Sequence, residues 1–94
     1  SVLSNTVINS STGIMIYYSN NNNITDNTVI NSTGIGIYLS TSVNNNITNN
    51  IACGNVIYDF NCLSSSVNVG SGNKFTKKNL GCDAWILNNN RPCP

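Results

Sequence analysis

The sequence predicts an all-β fold, a right-handed parallel β-helix, on the strength of three observations. A unit of about 21–23 residues recurs through the first two thirds of the chain, a period typical of repeat architectures. Each unit holds short segments of alternating apolar residues, and Asn recurs at a fixed place in each. The period is shorter than the roughly 33 residues of helical-hairpin repeats, so each unit is one turn, or rung, of a β-solenoid. The right hand follows the bias of parallel β crossovers.

The rungs align through their apolar positions. Val2, Ile24 and Ile47 occupy the same place in three successive units. The second apolar segment begins at Ile14, recurs at Ile35, and ends as a weaker copy around Tyr58. Because alternate side chains of a strand share a face, stacked rungs should form inward ladders. The predicted ladders are Val2/Ile24/Ile47, Val7/Val29/Ala52, Ile14/Ile35/Tyr58 and Ile16/Ile37/Phe60.

Turn residues recur in the same register. Asn5, Asn27 and Asn50 predict an Asn ladder, in which stacked amides hydrogen-bond from rung to rung, and Asn73 continues the same spacing. Gly13 and Gly34 precede the second apolar segment, where we expect a tight turn with positive φ.

The chain is short enough to form one domain. Residues 1–62 are predicted to form β-helix rungs, and residues 63–94 a last irregular rung with a C-terminal cap, about three to four rungs in all. Residues 64–66 and 70–72 are expected to form a longer connection, and residues 73–76 a shortened strand. The cap is expected around Trp85, since Pro92 and Pro94 oppose a further strand. The repeat already runs at Val2, so the first rung is expected to be uncapped and to stack on another chain or on upstream protein.

Four cysteines lie in the C-terminal half: Cys53, Cys62, Cys82 and Cys93. No Cys-x-x-Cys motif or His accompanies them, so a zinc site is not expected. An even number of Cys in a short chain indicates two disulfides and an oxidising compartment. The default pairing joins sequence neighbours, Cys53 with Cys62 and Cys82 with Cys93. Buried free thiols are the alternative.

Charge and composition exclude several functions. A net charge of +1 provides no electrostatic footprint for nucleic acid, and no apolar run approaches the ~18–20 residues that span a bilayer. The chain has no His and no Glu, and its Asp residues fall at different places in their rungs. We therefore expect no catalytic residues, no metal, no cofactor and no enzymatic activity. High Asn, Ser and Thr content is typical of disorder, but the apolar alternation in register favours an ordered solenoid.

The repeat resembles a known family. The pattern Asn-x-Ile-x-x-Asn-x-Val, followed by Gly-Ile-x-Ile-Tyr-x-Ser, resembles the parallel β-helix repeat of NosD-like and related carbohydrate-associated proteins over residues 2–62. Such repeats are abundant in secreted surface proteins of archaea, including methanogens. The resemblance implies the fold and a secreted or cell-surface location. It leaves function open, because similar repeats occur in lyases, hydrolases, epimerases, adhesins and structural stalks.

Three sets of residues are candidates for binding or modification. Tyr17 and Tyr38 look rung-equivalent and outward, so they could contact glycans, with cross-strand packing as the alternative. Lys74, Lys77 and Lys78 could contact an acidic glycan or simply form a solvated edge. Four Asn-x-Ser/Thr motifs are candidate N-glycosylation sites that would align on two edges: Asn9, Asn23, Asn31 and Asn46.

These features predict a non-enzymatic structural protein, outside the cell or on its surface. Its partner would be another chain, through self-association or filament-like stacking, or the upstream part of the same protein. The alternatives are a carbohydrate-binding surface module and the C-terminal fragment of a larger polysaccharide-active enzyme.

Overall fold

A computed structural model describes residues 1–64, 67–83 and 85–94, and the backbone alone of Leu80. The described chain is a coil of short parallel strands, with a single-turn 3-10 helix at Leu80–Cys82. Ser65 and Ser66, part of the predicted connection, lie outside the described residues, as does Ala84 in the predicted cap.

Three parallel sheets form the walls of the coil. The first sheet contains β1 (Val2–Leu3), β4 (Asn23–Thr25), β7 (Asn46–Thr48) and β10 (Val69–Ser71). The second contains β2 (Thr6–Ile8), β5 (Thr28–Ile30) and β8 (Ile51–Cys53). The third contains β3 (Thr12–Tyr17), β6 (Ile35–Ser40) and β9 (Tyr58–Leu63). The chain visits each sheet once per turn, which confirms the parallel β-helix, with rungs at residues 1–22, 23–45 and 46–68 and a partial fourth rung that begins with β10.

The first two sheets have the register that the sequence predicts. Val2 pairs with Ile24, and Ile24 with Ile47. Val7 pairs with Val29, and Val29 with Ala52. The second and third rungs contribute fully buried members to both ladders, whereas Val2 and Val7 are only partly buried. The first rung therefore has packed neighbours on one side only.

The predicted register of the third sheet is correct between the second and third rungs, where Ile35 pairs with Tyr58 and Ile37 with Phe60, but it is wrong by two positions between the first and second rungs. Ile14 pairs with Ile37, not Ile35, and Ile16 pairs with Leu39, not Ile37. The inward ladders are therefore Ile14/Ile37/Phe60 and Ile16/Leu39/Cys62. The physical reason is the corner before this sheet, where the second rung has one more residue than the first.

Left-handed backbone recurs at four corners of the rung. The columns with positive φ are Ser4/Asp26/Asn49/Gly72, Asn9/Asn31/Gly54, Tyr18/Thr41/Ser64 and Asn21/Asn44/Val67. Asn, Asp and Gly tolerate this conformation better than other residues do, and they fill most of these positions. The prediction for Gly13 and Gly34 is wrong, since neither is among the residues with positive φ. Gly13 lies inside β3, where an added Cβ would meet Val29 Cγ1 at 2.1 Å.

The C-terminal segment covers one end of the coil. Phe75 and Trp85 each pack edge-to-face on Phe60, the largest fully buried side chain, and Ile86 is fully buried beside them. The predicted strand at residues 73–76 is reduced to single bridges at Lys74. The predicted connection at residues 70–72 is wrong, because β10 lies there and pairs with β7. This end of the hydrophobic core is closed.

Two disulfides fasten this cap, but not with the predicted pairing. Cys53 is bonded to Cys93 and Cys62 to Cys82. The neighbour pairing is wrong because the tail returns past the fourth rung before reaching the outer side of the second sheet. By the chain-entropy estimate, the Cys53–Cys93 bond contributes about 4 kcal/mol to the free energy of unfolding, and the Cys62–Cys82 bond, which closes a shorter loop, contributes ~3 kcal/mol. The inner bond, Cys62–Cys82, is buried at the end of an inward ladder.

Candidate functional site: the open edge of the first rung

An Asn ladder runs through the whole coil. The backbone N–H and the Nδ2 group of Asn5 both donate to Oδ1 of Asn27, at 2.9 and 3.1 Å. Asn27 binds Asn50 in the same way, and Asn50 binds Asn73. The second Nδ2 hydrogen of each later Asn reaches a backbone carbonyl of the preceding rung, such as Val2 for Asn27. The structure thus places Asn5, Asn27, Asn50 and Asn73 in one column, as their spacing predicts.

The structure contains a second Asn ladder that the sequence analysis does not predict. Asn22 donates its backbone N–H to Asn45 Oδ1, and Asn45 donates both N–H and Nδ2 to Asn68 Oδ1. The sequence does carry a signal for this ladder. Its three Asn have the same spacing as Asn27 and Asn50 in the first ladder. Runs of consecutive Asn concealed it, because they allow several alignments.

A third column ends in a buried carboxylate. Ser32 donates its N–H to Asn55 Oδ1, and Asn55 donates its N–H and Nδ2 to Asp59 Oδ1. The other carboxylate oxygen of Asp59 accepts the N–H groups of Thr76 and Lys77, each at 2.9 Å. Asp59 is fully buried. Asp59 therefore accepts the two hydrogen bonds that an Asn of the next rung accepts in the other columns, and it also binds the backbone of the C-terminal segment.

Both described ladders of Asn have the same polarity. Each Oδ1 accepts hydrogen bonds from the preceding rung, and each backbone N–H points to the following rung. Asn5 begins the first ladder, and its Oδ1 accepts no hydrogen bond from any described residue. Asn5 is exposed, whereas Asn27, Asn50 and Asn73 are fully buried. Asn5 is thus the open acceptor end of the ladder.

The two ends of the coil differ in their backbone pairing. β1, β2 and β3 are the outermost strands at the same end of the three sheets. At the opposite end, Lys74 bridges Ile51, Arg91 bridges Lys74, and Gly72 N–H donates to the Asn88 carbonyl. Within the described chain, only the first rung has its whole strand edge without a neighbouring strand. We call the unpaired backbone edge of β1, β2 and β3, together with Asn5, the first-rung edge.

The backbone N–H of Thr6 is an unpaired donor at the first-rung edge. Its counterparts Thr28, Ile51 and Lys74 each donate their N–H to a carbonyl of the preceding rung, at 2.8 Å. The N–H of Thr6 has the same position in its rung and therefore points out of the coil. Unpaired backbone groups in a row form a template for another strand.

The outer surface near this edge is apolar in patches. Leu3, Ile8, Met15, Tyr17 and Tyr18 are all more than half exposed. The rings of Tyr17 and Tyr18 pack edge-to-face, with centroids 4.5 Å apart.

The predicted equivalence of Tyr17 and Tyr38 is wrong. Tyr17 pairs with Ser40, and Tyr38 pairs with Met15, because of the shifted register in the third sheet. The two tyrosines are therefore diagonal neighbours and do not form one column. The exposed aromatic pair is Tyr17 with its chain neighbour Tyr18.

The candidate lysines lie near the capped end and two of them are engaged. Lys78 forms an ion pair with Asp83, and Lys77 Nζ donates to the Val56 carbonyl at 3.0 Å. Lys74 is half-buried. The three do not converge on one described ligand-binding group.

The four candidate glycosylation residues are all exposed. Asn23 and Asn46 are paired neighbours in the first sheet. Asn9 and Asn31 occupy one left-handed corner column. Both alignments follow the predicted columns, and carbohydrate attachment remains a prediction.

The described residues do not form a catalytic constellation. Asp26 is exposed at a left-handed corner, Asp59 is buried under four N–H donors, and Asp83 is paired with Lys78. The described surface has no cavity, and no described group of three or more His, Cys, Asp or Glu could hold a metal. None of the helical segments in the described chain is long and apolar enough to cross a membrane.

Fold and ladders together define the chain as a parallel β-helix protein of Asn-laddered rungs. It belongs to the NosD family, described as periplasmic copper-binding protein, whose family model matches residues 1–91. No curated protein and no solved structure matches the chain. Two disulfides agree with an oxidising compartment such as the periplasm.

The residues of this chain do not fit a copper site. Copper sites in proteins draw on imidazole, thiolate and thioether ligands. The chain has no His and one Met, and all four Cys are oxidised in disulfides. Met15 is more than half exposed on the outer face of the third sheet, where it pairs with Tyr38. The donor set implied by the family description is thus missing from these residues.

Proposed function

We propose that this chain is a non-enzymatic structural segment of a secreted or cell-surface β-solenoid. Its first-rung edge pairs with a further rung, and its capped end terminates the stack. The observation that supports this most directly is the asymmetry of the two ends. One end has two disulfides, Trp85 and returning backbone over it, and the other exposes the strand edge and Asn5.

The absence of a reactive centre among the described residues supports the non-enzymatic part of the proposal. General acid–base catalysis needs a group within hydrogen-bond reach of a bound substrate. Asp59, the one buried carboxylate of the described chain, accepts four hydrogen bonds and has no cavity beside it. A structural role explains this carboxylate completely.

The test is to add one rung. A copy of residues 23–45 placed directly before Ser1 gives the first rung the same spacing to its new neighbour that the later rungs have. We expect a higher midpoint of thermal unfolding, since more buried surface and more backbone hydrogen bonds form. An extension with the same composition in scrambled order is the control. Equal midpoints for the two extended chains would contradict the proposal.

The exposed pair of Tyr17 and Tyr18 favours a second candidate, a carbohydrate-binding surface. Aromatic rings that are more than half exposed present flat apolar area beside polar Asn and Ser groups. An array of neutral and acidic oligosaccharides tests it. Binding that is lost in Tyr17→Ala and Tyr18→Ala would support this candidate, and an array without hits would remove it.

A further inference from the structure

We propose that the Cys53–Cys93 disulfide is a redox-sensitive latch. A protein dithiol of the Cys-x-x-Cys class opens this bond while Cys62–Cys82 stays closed, and residues 87–94, which we call the strap, then detach from the coil. The latch goes beyond the proposed structural function and does not depend on it.

The two disulfides differ in the access that they give to a reductant. Cys62 and Cys82 are 2% and 0% exposed, so a thiolate reaches neither sulfur unless the cap opens. Cys53 follows the inward-facing Ala52 in β8, which places its side chain on the outer face of the second sheet. Cys53 and Cys93 are both partly exposed. Because thiol–disulfide exchange depends on access, the outer bond is attacked first.

The strap has no buried side chain to anchor it. Every side chain from Leu87 to Pro92 is exposed, whereas Trp85 and Ile86, just before the strap, are buried. A segment with few buried apolar contacts opens at low cost in free energy. Without its covalent bond the strap is therefore free to leave, with the hinge between Ile86 and Leu87.

Backbone hydrogen bonds align the strap with the preceding turn of the coil. Gly72 N–H donates to the Asn88 carbonyl at 2.9 Å. Phe75 N–H donates to the Arg91 carbonyl, and Arg91 N–H donates to the Asn73 carbonyl, each at 3.0 Å. The strap side of these bonds is exposed, so water can replace them and each adds little net stability. They set the position of the strap and hold it only weakly.

Charge also opposes the position of the strap. Arg91 is bridged to Lys74, which places two cations side by side. Neither belongs to the ion pair of the described chain, which joins Lys78 and Asp83. Like charges at paired positions of a sheet are destabilising. The covalent bond at Cys93 thus holds the strap against this repulsion.

The chemistry of opening is one thiol–disulfide exchange. A thiolate of the reductant attacks one sulfur of the Cys53–Cys93 bond, forms a mixed disulfide, and releases the other sulfur, which takes up a proton. The second thiol of the reductant then attacks the mixed disulfide and releases the remaining Cys as a thiol. The chain gains two electrons and two protons, and the reductant ends as a disulfide.

The order of reduction tests the latch. The folded, oxidised chain is incubated with limiting dithiothreitol without denaturant, free thiols are alkylated at intervals with iodoacetamide, and the labelled positions are located by peptide mapping. We expect Cys53 and Cys93 to be alkylated at least about tenfold faster than Cys62 and Cys82. Equal rates at all four positions, or faster labelling of the inner pair, would overturn the latch.

Release of the strap is tested in the chain that carries both Cys53→Ser and Cys93→Ser, compared with the oxidised chain. Hydrogen exchange at the Arg91 and Phe75 amides is expected to rise by about tenfold or more, while the Ile86 amide, bonded to the Cys82 carbonyl, stays protected. Unchanged protection at Arg91 would show that the strap stays in place without the bond. Loss of protection at Ile86 as well would show that the bond holds the whole cap. Either result overturns the latch.

Discussion

Asn27 is held to Asn50 by two hydrogen bonds to a single oxygen. The backbone N–H and Nδ2 of Asn27 both donate to Asn50 Oδ1 at 3.0 Å, and both residues are fully buried. Asn50 in turn donates its Nδ2 to Ile24 O and to Asn73 Oδ1. An amide suits this place because it accepts and donates at once. The interior of this coil is therefore organised by polar columns at its corners as well as by Ile and Val.

Asn50→Ala should be among the most destabilising single changes. It leaves Asn27 N–H, Asn27 Nδ2, Ile24 O and Asn73 Oδ1 short of partners in a buried place, at about 1–3 kcal/mol for each group that water cannot reach. We expect a loss of at least ~3 kcal/mol in the free energy of unfolding, measured by urea denaturation. Asn46→Ala, on the exposed face of the first sheet, is the matched control and should change stability by less than about 0.5 kcal/mol. Similar effects of the two changes would count against the ladder.

Asp59→Asn should loosen the C-terminal segment. Asn is nearly isosteric, but its Nδ2 group would face N–H donors at either position, from Asn55 on one side or from Thr76 and Lys77 on the other. We expect faster hydrogen exchange at Thr76 and Lys77 and a loss of ~2 kcal/mol in stability. Asp26→Asn, at an exposed corner, is the control. Unchanged exchange at Thr76 would mean that Asp59 does not hold this segment.

Proteolytic mapping tests the disulfides. Cleavage before Asp and after Lys places each Cys in a separate peptide, since Asp59, Lys78 and Asp83 lie between them in sequence. Without reduction, the peptide that contains Cys53 should be linked to the C-terminal peptide that begins at Asp83. The peptide that begins at Asp59 should be linked to the short peptide between Lys78 and Asp83. A bond between the Cys53 peptide and the one that begins at Asp59 would restore the neighbour pairing.

The oxidised chain should not retain copper. No His is present and no thiolate is free, so neither Cu(I) nor Cu(II) finds its preferred ligands. Chains incubated with copper and then desalted should contain far less than one equivalent by mass spectrometry of the metal. Reduction of the disulfides is the positive control, because it creates four thiols. One equivalent retained by the oxidised chain would contradict this.

The sequence was sufficient for the fold but not for every register. Spacing predicted the first two sheets correctly, because Val2, Ile24 and Ile47 have one alignment. In the third sheet, Ile35, Ile37 and Leu39 alternate over three positions, whereas the first rung offers only Ile14 and Ile16. Two alignments are therefore equally apolar. The extra corner residue decides between them, and the apolar pattern does not show in which corner it lies.

The candidate site was predicted in outline only. The column of Asn5 follows from the repeat, but the polarity of the column depends on which way each amide points. The disulfide pairing depends on the path of the tail around the fourth rung, which spacing does not reveal. Asp59 looked like an isolated carboxylate, because its four donors come from separate segments of the chain.

Hydrogen exchange of the unextended chain tests the open first-rung edge most directly. The amides of Thr6, Thr28, Ile51 and Lys74 have equivalent positions in successive rungs, and only that of Thr6 should lack an acceptor. We predict exchange at Thr6 close to the rate of an unstructured amide, with strong protection at Thr28 and Ile51. Protection of Thr6 equal to that of Thr28 would show that this edge is already closed and would contradict the account.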